Sequence, residues 1–273
     1  MIEIGKKNKL KIEKFTDHGA YLTDGTDRVL LPRRYLWGTM RLGEEIDVFV
    51  YTDSEDRPVA TTDLPVAEVG ELAYLEVVGT NRFGAFLDWG LPKDLLVPFS
   101  EQKAKMRTGG RYPVYVYLDD ASKRVVASAK IGKFIGNAYP DMKRGDEVDA
   151  FVYEKSEYGW KVAVNNLYQG MIYDNEIFVP VRVGDKFGAT VKNVRDDGKI
   201  DLLLGEKSVK RVADLASRIL ADYKANGNVL TVNDSSTPED IKSEYQCSKK
   251  DFKKALGQLL KERMIDLDSV RKG

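Results

Sequence analysis

The stretch DHGAYLTDGTDRVLLP, Asp17 to Pro32, is written again as RFGAFLDWGLPKDLLVP, Arg82 to Pro98. His18-Gly19-Ala20-Tyr21 falls on Phe83-Gly84-Ala85-Phe86, and Pro32 falls on Pro98. Downstream, DSEDRPVATT falls on DASKRVVASA, which sets Asp53 on Asp120 and Arg57 on Arg124. The offset drifts only from 65 to 67 residues, so the repeat is a duplicated domain with small loop differences. A repeat of this period constrains the fold more than composition does, because each copy must be a supersecondary unit in its own right.

Each copy carries short alternating runs, EIDVFVY and RYPVYVYLD, broken by Gly, Pro and Asp turns. That is the pattern of a small antiparallel β-barrel. A weaker third copy runs from Lys143 to Leu204, with Tyr158-Gly159-Trp160-Lys161 in the motif slot and Arg195 and Lys199 where the Asp/Arg pair stood. After Gly205 the pattern becomes helical. SVKRVADLASRILADYKANG reads as a long helix with a glycine stop, and STPEDIKSEYQC as a second with Thr237 as N-cap and Pro238 in its first turn. In SKKDFKKALGQLLKERMI, a helix over Ser248–Arg263, Phe252, Leu256, Leu259, Leu260 and Met264 share one face, and Lys250, Lys254 and Lys261 the other. RMIDLD reads as a short closing strand. The fold class expected is mainly β with a C-terminal α+β domain: three tandem five-stranded barrels over 1–66, 67–137 and 138–206, then a winged-helix domain over 207–273.

The motif itself poses a packing question. Two large rings, Phe83 and Phe86, flank two residues that pack almost nothing. Strand alternation would send the rings to opposite faces, so a bulge at Gly84-Ala85 is expected to bring them together, with the bare backbone of Gly84 left open to a flat ligand. Burial is the commoner fate of phenylalanine. The repeat favours exposure, because His18 and Tyr21 keep a stackable plane while adding polarity. Exposed rings of this kind suit base stacking. Asp120 and Arg124, at a late hairpin, add an acceptor and a phosphate contact.

RFGAFLDWGLPKDLLVPFSE followed by RVVAS resembles the S1 RNA-binding motif, an oligonucleotide-binding-type barrel. The tandem closed by SKKDFKKALGQLLKERMI is similar to the conserved virulence factor B family of bacterial proteins, three S1-like barrels and a winged helix, over nearly the whole chain. The resemblance implies an RNA-binding face of Phe83, Phe86, Asp120 and Arg124 in the second barrel, and of His18, Tyr21, Asp53 and Arg57 in the first. Many S1 motifs carry a histidine where this chain has Pro98 and Pro32. In the third barrel Tyr158 remains of the aromatic pair, with Lys161, Arg195 and Lys199 nearby, so that barrel either holds a nucleic-acid backbone by charge or serves as a structural spacer.

Composition bounds the remaining readings. The charge balance is 43 basic against 43 acidic residues, yet residues 207–273 hold 14 against 10, so charge-driven contacts are local. One cysteine, Cys247, and one histidine, His18, leave no cysteine-based metal site, no disulfide framework and no catalytic triad. No phosphate loop or HExxH helix occurs. Together with these bounds, the resemblance implies a cytoplasmic, non-enzymatic binder of single-stranded RNA and regulator of gene expression, with no cofactor, metal, small-molecule substrate or membrane contact. A DNA-binding regulator acting through Lys250, Lys254 and Lys261, and a protein-binding accessory of translation, are the alternatives.

Overall fold

The computed structural model describes residues 1–273 except 178, 179, 205, 231, 246, 248 and 267–273, and describes no side chain for 206–211, 213 and 250. The chain forms two compact units, Met1–Ile135 and Gly136–Gly273. In the first, β1 (Lys6–Thr16), β2 (Gly19–Thr23), β3 (Arg28–Pro32), β4 (Glu45–Thr52) and β5 (Pro58–Thr61) close a barrel in the order β1-β2-β3-β5-β4. Barrel 2 repeats this order as a five-stranded sheet with β6 (Leu72–Thr80), β7 (Gly84–Asp88), β8 (Leu95–Pro98), β9 (Arg111–Leu118) and β10 (Val125–Ser128). In the second unit β11 (Glu147–Lys155), β12 (Gly159–Val164), β13 (Tyr168–Tyr173), β14 (Lys186–Val194) and β15 (Ile200–Leu204) close barrel 3.

Alternation explains the strands, and its failure explains how the first two barrels join. In β4, Ile46, Val48 and Val50 fill the interior of barrel 1, while Phe49 and Tyr51 on the other face are buried as well. An apolar run without alternation marks a strand covered on both faces. Here the cover is barrel 2: Phe49, Tyr51 and Val59 enter its core, with Phe49 edge-on to Trp89 at 5.8 Å. The seam is also polar. Lys93 Nζ donates to the carbonyls of Thr52 (2.9 Å) and Asp53 (2.7 Å), and Arg124 is bidentate on Asp56. Burial pushes the Lys93 ammonium below its ordinary pKa, while the bound guanidinium holds the Asp56 carboxyl below the usual range.

The motif glycine occupies the same place three times. A Cβ added at Gly19 would stand 2.0 Å from the Leu31 carbonyl oxygen, at Gly84 2.2 Å from that of Val97, and at Gly159 2.1 Å from that of Ile172. The expected bulge at Gly84-Ala85 is therefore corrected. Gly84 pairs in register with Pro98 and Ala85 with Val97, so a neighbouring carbonyl, not a ligand, fills the space left by the missing side chain. The bulge lies instead in the opposite strand, where the register shifts between Ile12 and Lys14, Val77 and Gly79, and Val152 and Glu154.

The C-terminal helices are α1 (Glu206–Ala225), α2 (Pro238–Tyr245) and α3 (Lys249–Lys261). Gly227, at φ +66°, follows the end of α1, and Thr237 caps α2 reciprocally with Asp240. Phe252, Leu256 and Leu259 of α3 pack with Ile219, Tyr223, Ile241 and Tyr245. Met264, expected on this face, is exposed because α3 stops at Lys261 and Arg263 turns at φ +55°. The RMIDLD strand is likewise corrected: Arg263 to Asp266 form turns and a bend, and the remaining two positions lie outside the described residues.

Two glycines of barrel 2 test the packing account. Gly84→Ala is expected to lower stability by roughly 2 kcal/mol or more, since the backbone it meets must move. Gly79→Ala, with nothing within 4 Å of the added carbon, should stay within about 0.5 kcal/mol in urea melts.

Candidate nucleic-acid interface

In barrel 2 the chain enters β7 through a turn in which Asn81 Oδ1 accepts the Phe83 N–H at 2.7 Å. Phe83 is thereby held just ahead of the strand, 56% exposed, with the Arg82 guanidinium 4.8 Å from its ring centre. Phe86 is half-buried and stands across from Gly79 on β6, which offers no side chain to cover it. Barrel 1 repeats the arrangement with His18 exposed in the turn and Tyr21 39% exposed opposite Lys14. Phe15, on the neighbouring strand, is exposed as well. In barrel 3 Tyr158 is 68% exposed, while Lys161, across from Glu154, is ion-paired to it.

The late hairpins are built alike, each closed by one N–H to carbonyl bond of 2.9 Å: Asp53 to Arg57, Asp119 to Arg124, and Arg195 to Lys199. This corrects the expected correspondence. Asp119, not Asp120, takes the place of Asp53, because the hairpin of barrel 2 is one residue longer. Asp119 caps Ser122, whereas Asp120 is fully solvated and only 3.8 Å from Lys123. The arginines are engaged rather than free. Arg57 donates from Nε and Nη2 to the single Asp53 oxygen Oδ2 and also reaches Glu55. Partial burial raises the Asp53 pKa, but the hydrogen bonds from Arg57 outweigh it and leave it lowered. Arg124 is spent on Asp56 at the inter-barrel seam. In barrel 3 Arg195 holds Asp201 and the Tyr173 hydroxyl, and Lys199 holds Asp197. A phosphate reaching any of these would compete with a carboxylate for the cation.

Unpaired positive charge gathers elsewhere in the second unit. A depression of about 320 Å³ is lined by Pro180, Arg182, Lys249, Lys253 and Lys254. Among the described residues neither the Arg182 guanidinium nor the Lys253 ammonium has a carboxylate partner. A second depression of about 340 Å³ shares Pro180 and adds Trp160, Gln258 and Lys261, with the Lys155 ammonium 4.9 Å from the Trp160 ring centre. The expected lysine face of α3 is thus divided. Lys261 is exposed, but the Lys254 side chain is only 17% exposed and lies 3.6 Å from the buried Asp185. The Lys250 side chain lies outside the described residues. Nothing in the sequence marks Arg182 for this cluster; it arrives through the loop after barrel 3's third strand. Phe99 and Arg33, each exposed, follow the paired prolines of the repeat directly, and that adjacency is the signal by which the sequence marks them.

Comparison with known proteins identifies the domains that carry these residues. Residues 4–63 and 69–130 each match the S1 domain, and 217–270 match the CvfB-like winged helix domain. The Bacillus subtilis protein YitL is 28% identical over 96% of this chain and 90% of its own length. Conserved virulence factor B of Staphylococcus haemolyticus is 25% identical over 84% of this chain and 79% of its own. A Streptococcus pneumoniae multidomain protein with nucleic acid binding domains is 25% identical, with a TM-score of 0.43 over 98% of this chain and 96% of that one. The chain thus carries paired S1 domains ahead of a CvfB-like winged helix domain, and over most of its length it is similar to conserved virulence factor B.

Proposed function

We propose that the protein binds single-stranded RNA, stacking bases on Phe83 and Phe86 of barrel 2 and on His18 and Tyr21 of barrel 1, and that it regulates gene expression after transcription in the cytoplasm. S1 and winged-helix modules support nucleic-acid binding. The observation that carries the finer reading is the exposed ring ahead of the motif glycine in all three barrels, His18, Phe83 and Tyr158. A ring recurring at one exposed place in three barrels suits base stacking, which is worth about 1–3 kcal/mol per base. The basic depression of Arg182, Lys249 and Lys253 supplies the backbone contacts that the paired arginines of the hairpins do not.

The DNA-regulator reading is weaker. Lys254, on the face of α3 that would enter a major groove, is turned to Asp185, and α3 carries few side chains suited to base edges. No helix among the described residues is long and apolar enough to cross a membrane.

Fluorescence anisotropy with a labelled unstructured RNA tests the proposal. The Phe83→Ala/Phe86→Ala double variant should bind about ten- to a hundredfold more weakly, with the same salt dependence as the wild type. Equal affinity would sink stacking on barrel 2. Arg182→Ala/Lys253→Ala should weaken binding and reduce the log–log salt slope by about 1.4, since each phosphate neutralised on a single strand contributes about 0.7. An unchanged slope would take the groove off the RNA path. Duplex DNA should compete poorly; a duplex that binds as tightly as the RNA would favour the regulator reading instead.

A further inference from the structure

The residue after the third strand of each barrel is tied to the motif by the same bond. Arg33 N–H donates to the His18 carbonyl (2.9 Å), Phe99 N–H to that of Phe83 (3.3 Å), and Asp174 N–H to that of Tyr158 (3.1 Å). Each follows directly on a residue paired in register with the motif glycine: Pro32 with Gly19, Pro98 with Gly84, Tyr173 with Gly159. The backbone is therefore the same three times, but the side chains are a cation, a ring and an anion.

Barrel 2 holds its version firmly. The 3-10 turn Phe99–Glu101 is anchored on both sides. Glu101 accepts from Ser128 Oγ and from Lys133, its carbonyl accepts the Ala129 N–H, and buried Gln102 bonds the Val97 carbonyl and the Met106 N–H. A turn fixed this well still leaves Phe99 48% exposed, with no ring contact among the described residues. Single exposed apolar side chains are ordinary. A ring presented by a rigid, multiply anchored turn beside a second exposed ring is pre-organised, so ordering it on binding costs little. In barrel 1 Arg33 is exposed and pairs with no carboxylate among the described residues. In barrel 3 Asp174 binds Lys155, whose ammonium lies over Trp160.

We propose that this position decides what each barrel takes from a single strand. Phe99 is a further stacking ring of barrel 2, beside the proline that stands where many S1 motifs have histidine. Arg33 is a phosphate contact of barrel 1. Asp174 holds Lys155 onto Trp160 and withdraws that cation from phosphate in barrel 3. The inference rests on the single-stranded RNA reading above and extends it to residues outside the repeated motif.

Binding of the same labelled RNA at several salt concentrations tests all three positions. Phe99→Ala and Phe99→Leu should each weaken binding about tenfold without changing the salt slope, because leucine keeps the apolar bulk but not the plane. Arg33→Gln should weaken binding and lower the slope by about 0.7. Asp174→Asn should tighten binding and raise the slope by about 0.7, and adding Lys155→Gln should cancel the gain. Wild-type affinity in both Phe99 variants and in Arg33→Gln, alongside a loss in Phe83→Ala/Phe86→Ala, would overturn this inference and leave the parent reading standing. A gain in Asp174→Asn that survives Lys155→Gln would overturn the role of Asp174. No loss in the Phe83/Phe86 variant either would remove the parent reading and this one with it. Thermal melts monitored by circular dichroism separate any unfolded variant from a binding defect.

Discussion

A carbonyl oxygen pressed against a glycine organises each barrel of this protein. The close approach at Gly19, Gly84 and Gly159 pins the start of the second strand against the end of the third, where any side chain would collide with backbone. Three consequences follow from that one contact. The residue before the glycine must sit outside the ladder, so its ring is presented to solvent. The residue after the third strand is brought to the same place by a backbone bond. The compensating bulge is forced into the first strand, at Glu13, Val78 and Tyr153. A position of this kind stores no ligand in its gap; it uses the gap to aim its neighbours.

The second constraint is the seam between barrels 1 and 2. Phe49 and Tyr51 give β4 two apolar faces, and only a second barrel can cover the outer one. Lys93 and the Arg124–Asp56 pair then complete the seam with directed bonds. The two faces bearing His18 and Tyr21, and Phe83 and Phe86, therefore belong to one body instead of two beads on a linker. Pre-organisation of this kind reduces what a bound strand must order, and it suits a chain whose net charge is zero. On the proposed reading, affinity comes from rings and from a few local cations.

Much of this was legible in the amino-acid sequence, and the exceptions share a cause. The repeat carried the barrels and the motif glycines, and local stop and cap chemistry carried the helix end at Gly227 and the cap at Thr237. What depended on long-range partners was not legible. Arg124 looks like a free phosphate contact until Asp56, 68 residues earlier, is seen to hold it. Asp120 falls on Asp53 in the repeat only because a one-residue insertion shifts the hairpin beneath it. Lys254 lies on a solvent face by helical period, yet the loop carrying Asp185 covers it. Phe99 follows a proline that the repeat itself picks out, but nothing in the chain announces that its turn is anchored by Ser128, Lys133 and Gln102.

The central claim is that rings ahead of and within the motif strand touch RNA bases. Ultraviolet cross-linking of the intact protein to an unstructured RNA, followed by mass spectrometry of the attached peptides, reads that contact directly. The account predicts adducts on the peptides holding Phe83 and Phe86, and His18 and Tyr21. Adducts confined to other surfaces, with the two motif peptides unmodified at saturating RNA, would contradict it.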